Sequence, residues 1–320
     1  MIKVGIVGGA GYTAGELLRL LIHHRNVEIT NIQSRSHSDQ PITVVHRDLL
    51  GETELMFSAD LDTTVDVLYL CAGHGKSIEF FEKNTLPASI KVIDLSADFR
   101  AEDGSHDFVY GLPELNLERI KKANKIANPG CFATSIELAF LPLSKHKLLK
   151  SEMHVTAITG STGAGQNPTT TSHFSWKNNN VSVYKAFNHQ HLAEIKQTLY
   201  INGETNPEIT FIPVRGNFSR GIMSTCVTDS ELSIEELNAL YEEYYKDHPF
   251  VVMSSVNPDV KQVVNTNKCV LHLVKNGNKV LIISVIDNLL KGASGQAVQN
   301  MNIMFGLNQT EGLKLKPMAF

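Results

Sequence analysis

The chain has only four cysteines in 320 residues, Cys71, Cys131, Cys226 and Cys269, all far apart. None sits in a Cys-x-x-Cys pair, so neither a disulfide framework nor a zinc site is expected. Each is then read singly, either as core filler or as a reactive thiol. Long apolar runs are missing too. A membrane span needs roughly 20 apolar residues, and the greasiest stretch, VLIISVI at 280–286, has the length of a buried strand. Charge of one sign is not in excess: the formal net charge is −4, which gives no electrostatic footprint for nucleic acid or an anionic membrane. Any anion handled here must be met by a local site. The first residues, MIKVGIVGG, already read as a strand, with no basic leader before them, so a cytoplasmic location is expected. Repeats and low-complexity tracts are absent.

What remains is an ordinary globular composition, 42% hydrophobic and 19% charged, at a length that accommodates two domains. The first third alternates nearly all-apolar strands with helices. IKVGIVG (2–8) leads into a glycine turn and a helix, followed by VEITNIQS (27–34), VDVLYLCA (65–72), a helical stretch at 78–83 and KVIDLS (91–96). Such strands predict a Rossmann-like, doubly wound parallel sheet covered on both faces. After residue 130 the strands lengthen and partly alternate (MHVTAITGS, PEITFIPV, GIMSTCVTD, KCVLHLV, KVLIISVID), and a helix covers 233–246. The last two strands flank Asn276-Gly277, a hairpin signal. This half predicts an α+β domain with a mixed or antiparallel sheet. The expected division is 1–130 for a dinucleotide domain, with 295–320 packing back on it through a final helix, and 131–294 for a catalytic and oligomerisation domain.

Gly8, Gly11 and Ala14 form Gly-x-x-Gly-x-x-Ala between the first strand and the first helix. A sharp turn there brings backbone N–H groups against a pyrophosphate at the positive end of a helix, where a β-carbon would obstruct the approach. NAD-binding versions carry an acid about 20 residues further on. Here the second strand ends Gln33-Ser34-Arg35-Ser36, and an arginine flanked by serines suits the 2′-phosphate of NADP(H). The alternative is a solvated loop arginine. The loop Cys71–Ser77 stands at a strand's C-terminal end, so Gly73 either lines the cofactor or marks a turn.

NPGCFATS (128–135) carries the chemistry. Pro129 and Gly130 break the chain and a helical pattern starts at once, which puts the Cys131 sulfur at a helix N-terminus, where the thiolate is favoured. Cys71, Cys226 and Cys269 lie in apolar strand runs and are assigned to packing.

Six segments in this order, VGGAGYTAGEL, DLSADFR, YGLPELN, NPGCFATS, GSTGAG and DNLLKGASGQAVQNMNIMFG, resemble the N-acetyl-gamma-glutamyl-phosphate reductase family, within the aspartate-semialdehyde dehydrogenase-like group. The resemblance spans almost the whole chain. It implies NADPH-dependent reduction of an N-acyl-glutamyl 5-phosphate to the semialdehyde in arginine biosynthesis, with release of inorganic phosphate, by a homodimer or homotetramer. It implies Cys131 as nucleophile and one of His189 and His191, in FNHQHLAEI, as acid/base. If that segment is extended, the two rings point to opposite faces and one alone reaches the sulfur, with His191 preferred. Arg100 is implied as phosphate ligand, its alternative being a structural pair with Asp94 or Asp98. Ser161, Thr162 and Gly163 are expected to offer donors to the reacting carbonyl, and Arg220 to hold the α-carboxylate. Tyr12 and Thr13 join the cofactor turn, while Asn288, Lys291 and Gly292 are expected to return to the cofactor.

The chain departs from the family at Gln190 and Gln166, positions that are often basic, and at PVRGNFSRG (213–221), which introduces Arg215. An added cation on the substrate strand suits an added carboxylate, so an N-succinyl substrate is the alternative to N-acetyl; a surface arginine is the plain reading. Aspartate-semialdehyde dehydrogenase is the nearest enzymatic rival. A non-catalytic NADP-binding sensor is the rival of another class, and a sensor would be expected to have lost Cys131 or the histidines.

Overall fold

The computed structural model describes residues 1–200 and 207–318. The chain divides into two compact units: Met1–Pro129 with Ala293–Lys314, and Gly130–Gly292 with Leu315–Phe320. The tail past residue 314, expected with the first unit, groups with the second instead. There the Met318 N–H meets the Val264 carbonyl at 3.3 Å. The last two residues of that expectation, 319 and 320, lie outside the described residues.

The first unit opens with β1 (Ile2–Val7), α1 (Tyr12–Leu21) and β2 (Val27–Gln33), and continues through β3 (Val67–Leu70), α2 (Lys76–Lys83) and β4 (Lys91–Asp94). It ends in β5 (Val109–Tyr110), α3 (Pro113–Lys122) and β6 (Lys125–Ala127), with a last helix at Gly295–Met304. The six strands form one sheet in the order β2-β1-β3-β4-β6-β5, parallel throughout, as the apolar strands required. Every residue of β3 is buried. From β1 the chain moves to one side of the sheet and then, at β3, to the other. The crevice at the C-terminal ends of β1 and β3 is therefore the topological switch point, where open α/β sheets bind ligands.

The second unit holds α4 (Cys131–Lys145), β7 (Met153–Thr159), α5 (Phe174–Lys177), β8 (Ser182–Val183), α6 (His191–Leu199), β9 (Ile209–Arg215) and β10 (Ile222–Asp229). It continues with α7 (Ile234–Tyr245), β11 (Val251–Met253), β12 (Cys269–Asn276) and β13 (Lys279–Ile286); the helix Gly295–Met304 of the first unit is α8 in chain order. Among the described residues its sheet has seven strands in the order β11-β12-β13-β10-β7-β9-β8, with parallel pairs at β11/β12 and β7/β9 and antiparallel pairs elsewhere. The β12/β13 hairpin closes at the expected Asn-Gly, with Gly277 at φ +58°.

The helix α4 lies on this sheet with all but its first and last residues buried. A buried hydroxyl cluster locks it in place: Ser135 Oγ lies 2.8 Å from Ser224 Oγ of β10 and 3.1 Å from Ser284 Oγ of β13. The nucleophile candidate thus starts a rigid element.

Candidate active site

In the first unit the glycine turn is built by close approach. Gly8 (φ +78°) has no room for a side chain, because a β-carbon would fall 2.8 Å from the Ala72 backbone of the loop after β3. The N–H groups of Gly8 and Gly9 both donate to the Gln33 carbonyl, at 3.1 and 2.9 Å. Gly11 is the N-cap of α1, and no side chain caps that helix. A β-carbon on Gly11 would meet protein only at ordinary contact, 3.7 Å or more. The demand for glycine there therefore comes from the open side, as a cradle for a phosphate requires. Ala14 is fully buried, and Tyr12 is exposed.

The end of β2 carries Ser34, Arg35 and Ser36 on a short helical turn. His37 joins them, with its Nδ1 2.9 Å from Ser36 Oγ, a neighbour the sequence reading did not name. Gly73 (φ +99°) and Gly75 (φ +76°) stand in conformations that turns demand. The amides of Gly75, Ser77 and Ile78 donate to the Asp98 carboxylate, so the start of α2 is capped by an acid from the loop after β4.

Arg100 is anchored within the first unit. Its Nε donates to the Asn128 carbonyl at 2.9 Å and its Nη2 to the Leu95 carbonyl at 3.2 Å, with the residue 5% exposed. A guanidinium held among carbonyls braces the strand end before Pro129.

In the second unit Cys131 is partly exposed at the first position of α4. The glutamate of α6 holds the turn before it: Glu194 Oε2 accepts the Gly130 N–H at 2.9 Å, and its Oε1 stands 3.9 Å from His191 Nε2. That separation is ion-pair reach, longer than a hydrogen bond. The two histidine rings lie together, with centroids 4.6 Å apart, and both contact the edge of Phe132, the residue after the nucleophile. The expectation of opposite faces fails because Gln190 is helical (φ −57°, ψ −27°), so the chain turns into α6 there instead of running extended. His189 Nδ1 accepts the His191 backbone N–H at 3.2 Å. On the other side of the cluster, Tyr184 packs on His189, and its phenol is pushed up by burial and by the neighbouring Cys131 charge, against the pull of Arg215. Where the family often has an arginine, Gln190 accepts from Lys185 Nζ at 2.8 Å.

The other candidate residues of the second unit have protein partners of their own. Ser161 and Thr162 do not present their amides to a substrate, because those N–H groups donate to the Phe218 and Ser219 carbonyls. The Thr162 hydroxyl also donates to Ser219 and accepts from Asn288. Arg220 pairs with the fully buried Asp287, at 2.9 Å. Asn288 is used at both ends of its amide, by the Gly221 N–H and by Thr162, and Lys291 is fully buried within the second unit. Gly292 lies against the nucleophile: a β-carbon there would come 2.7 Å from Cys131 Cβ. Arg215 stacks on Tyr184, with its guanidinium carbon 4.1 Å from the ring centroid, and donates to Thr171 Oγ1 at 2.8 Å.

Burial, and then the Lys185 charge, lower His189 from 6.5 to about 4, with Glu194 opposing. Between these values the unfolded chain binds the proton and the folded one does not, so folding stability rises with pH across the window. Acidifying from pH 6.5 to 4.5 should cost the protein on the order of 2 kcal/mol through this group. Denaturant midpoints of the parent and His189→Asn across that range should converge as pH falls. Parallel curves would remove His189 as the cause.

Residues 3–123 match the family described as semialdehyde dehydrogenase, NAD binding domain, and residues 131–288 the semialdehyde dehydrogenase, dimerisation domain. N-acetyl-gamma-glutamyl-phosphate reductase of Parabacteroides distasonis is 58% identical, and that of Azobacteroides pseudotrichonymphae 59%, each over 100% of both chains. The chain belongs to the N-acetyl-gamma-glutamyl-phosphate reductase family. The fold of this reductase-family chain is shared with aspartate semialdehyde dehydrogenase II from Vibrio cholerae (TM-score 0.73, 17% identity, 96% and 99% of the two chains). It is equally shared with the aspartate semialdehyde dehydrogenase with NADP from Candida albicans (TM-score 0.74, 14% identity, 95% and 98%). The residues that sequence alone passed over are Glu194 and Tyr184. Only Glu194 left a signal, an acid three residues after a histidine at helical spacing.

Proposed function

We propose that the chain reduces N-acetyl-glutamyl 5-phosphate to N-acetyl-glutamate 5-semialdehyde, releasing phosphate, through a thioester on Cys131. The observation that carries this reading is a partly exposed thiol at the first position of α4, with Glu194 and two histidines gathered at the same turn. NADP(H) fits the first unit on the grounds of the uncapped α1 terminus and the open side of Gly11. The turn Gly8–Ala14 would hold its diphosphate beside Gly73, and Ser34, Arg35 and Ser36 its 2′-phosphate. When bound, NADPH supplies the hydride.

The chain's own residues do the rest. The helix N-terminus favours the Cys131 thiolate, which attacks the acyl carbon as the phosphate leaves with its bonding electrons. His191, with the Glu194 carboxylate in ion-pair reach, protonates the departing sulfur when the reduced adduct collapses to aldehyde. His189, held near neutral by burial, keeps the His191 backbone in place. A substrate anion would meet Arg215, the cation stacked on Tyr184.

One observation favours a second reading of the acyl group. Arg215 is stacked on Tyr184 beside the thiol, where a succinyl carboxylate would find a partner. Both readings are tested by the reverse reaction, following NADPH formation from NADP, phosphate and either N-acetyl- or N-succinyl-glutamate semialdehyde. Phosphate-dependent turnover of one of them is expected. No turnover of either would end the proposal, and an acetyl preference unchanged in Arg215→Leu would end the succinyl reading.

The dimerisation-domain match points to an oligomer, and we place its contact on the sheet face opposite α4. There Met223, Thr225 and Val227 are half-buried and His154 and Thr156 exposed. A homodimer or homotetramer by sedimentation is expected. Four free cysteines, one of them the working thiol, suit the reducing cytoplasm.

A further inference from the structure

Between β2 and β3 the chain makes an excursion of short helical turns, Ile42–Val44 and Arg47–Leu49 among them, which no sheet position requires. It is anchored by buried Ile42, Leu49 and Phe57 and tied back through Ile42 N–H to the Leu55 carbonyl and Phe57 N–H to the Gln40 carbonyl. These anchors carry His46, 7% exposed, onto the glycine turn. His46 Nε2 lies 2.7 Å from the Gly9 carbonyl oxygen. A carbonyl can only accept, so Nε2 bears the hydrogen. On its other side the ring lies against α1 where Gly15 leaves space: a β-carbon there would be 2.7 Å from His46 Nδ1. Gly9 is thus held at both ends, its N–H by the Gln33 carbonyl and its C=O by His46.

The peptide bond between Gly9 and Ala10 is trans, as all described ones are. In a planar trans peptide the C=O and the following N–H point in opposite directions. With the Gly9 oxygen turned toward His46, the Ala10 N–H is turned away from it. We propose that His46 is the positioning residue that aims the Ala10 amide of this turn at the cofactor diphosphate. The inference rests on the reading that the turn binds NADP(H).

Titration calorimetry with two probes tests it: NADPH, and 2′-phosphoadenosine, which has the 2′-phosphate but no diphosphate. His46→Ala should weaken NADPH about tenfold, the effect of one hydrogen bond, and leave 2′-phosphoadenosine within about twofold of the parent. His46→Gln, whose amide can reach the same carbonyl, should recover most of the loss. Gly15→Ala, which pushes the ring aside from α1, should reproduce it without touching the imidazole. Equal weakening of both probes, or none with NADPH, overturns the role of His46. A parent protein that binds neither probe overturns the dinucleotide reading itself.

Discussion

Cys131→Ala is expected to lower turnover by at least about 10⁴-fold while leaving NADPH affinity within about twofold, because it removes the covalent route and nothing in the glycine turn. The substitution is structurally mild. Alanine keeps the Cα and Cβ that Gly292 packs against, and it is a good helix former at the start of α4. The stability change should stay within about 1 kcal/mol, so lost turnover reads as lost chemistry. The parent should also take up one equivalent of iodoacetamide rapidly. Burial pushes the Cys71 thiol up to about 12 and raises Cys226 as well, and Cys269 is fully buried. The alanine variant should take up none on that timescale. A variant with normal reductase activity, or with undiminished fast labelling, would disprove the assignment.

Local chemistry was legible in the sequence, and distant partners were not. The Gly8 turn, the helix start at Cys131 and the Asn276-Gly277 hairpin each depend on neighbours within a few residues, and each formed as read. What the sequence does not show is which protein group a polar residue meets. Arg220 announces a positive charge, but its partner Asp287 lies 67 residues away. Arg100 meets a carbonyl 28 residues on, and the contact that makes Gly292 a glycine spans the second unit to Cys131. The histidine pair failed for a local reason. A period of two was applied to His189-Gln190-His191, while the cap of α6 was already helical at Gln190. The excursion over 35–57 went unread because its anchors, Ile42, Leu49 and Phe57, recur at neither strand nor helix spacing over so short a stretch.

His191→Asn should reduce kcat by about 10²–10⁴-fold, the usual worth of a general acid, with smaller change in the KM for either substrate. The proton comes from whichever imidazole holds one at working pH. His189 sits near 4 and is neutral there, so it donates nothing stronger than a neutral N–H. His191 has the Glu194 carboxylate in ion-pair reach, and a negative neighbour favours the imidazolium. Glu194→Gln separates charge from shape, since its amide oxygen can still accept the Gly130 N–H that the carboxylate accepts at 2.9 Å. Removing the charge disfavours protonated His191, so the limb of the kcat profile that needs the protonated form should move to lower pH, with activity at neutral pH down about tenfold. Profiles of the parent, His191→Asn, His189→Asn and Glu194→Gln decide it together. If His189→Asn proves the more damaging of the two and Glu194→Gln leaves the limb in place, the proton belongs to His189, and the carboxylate serves only to hold the turn before the thiol.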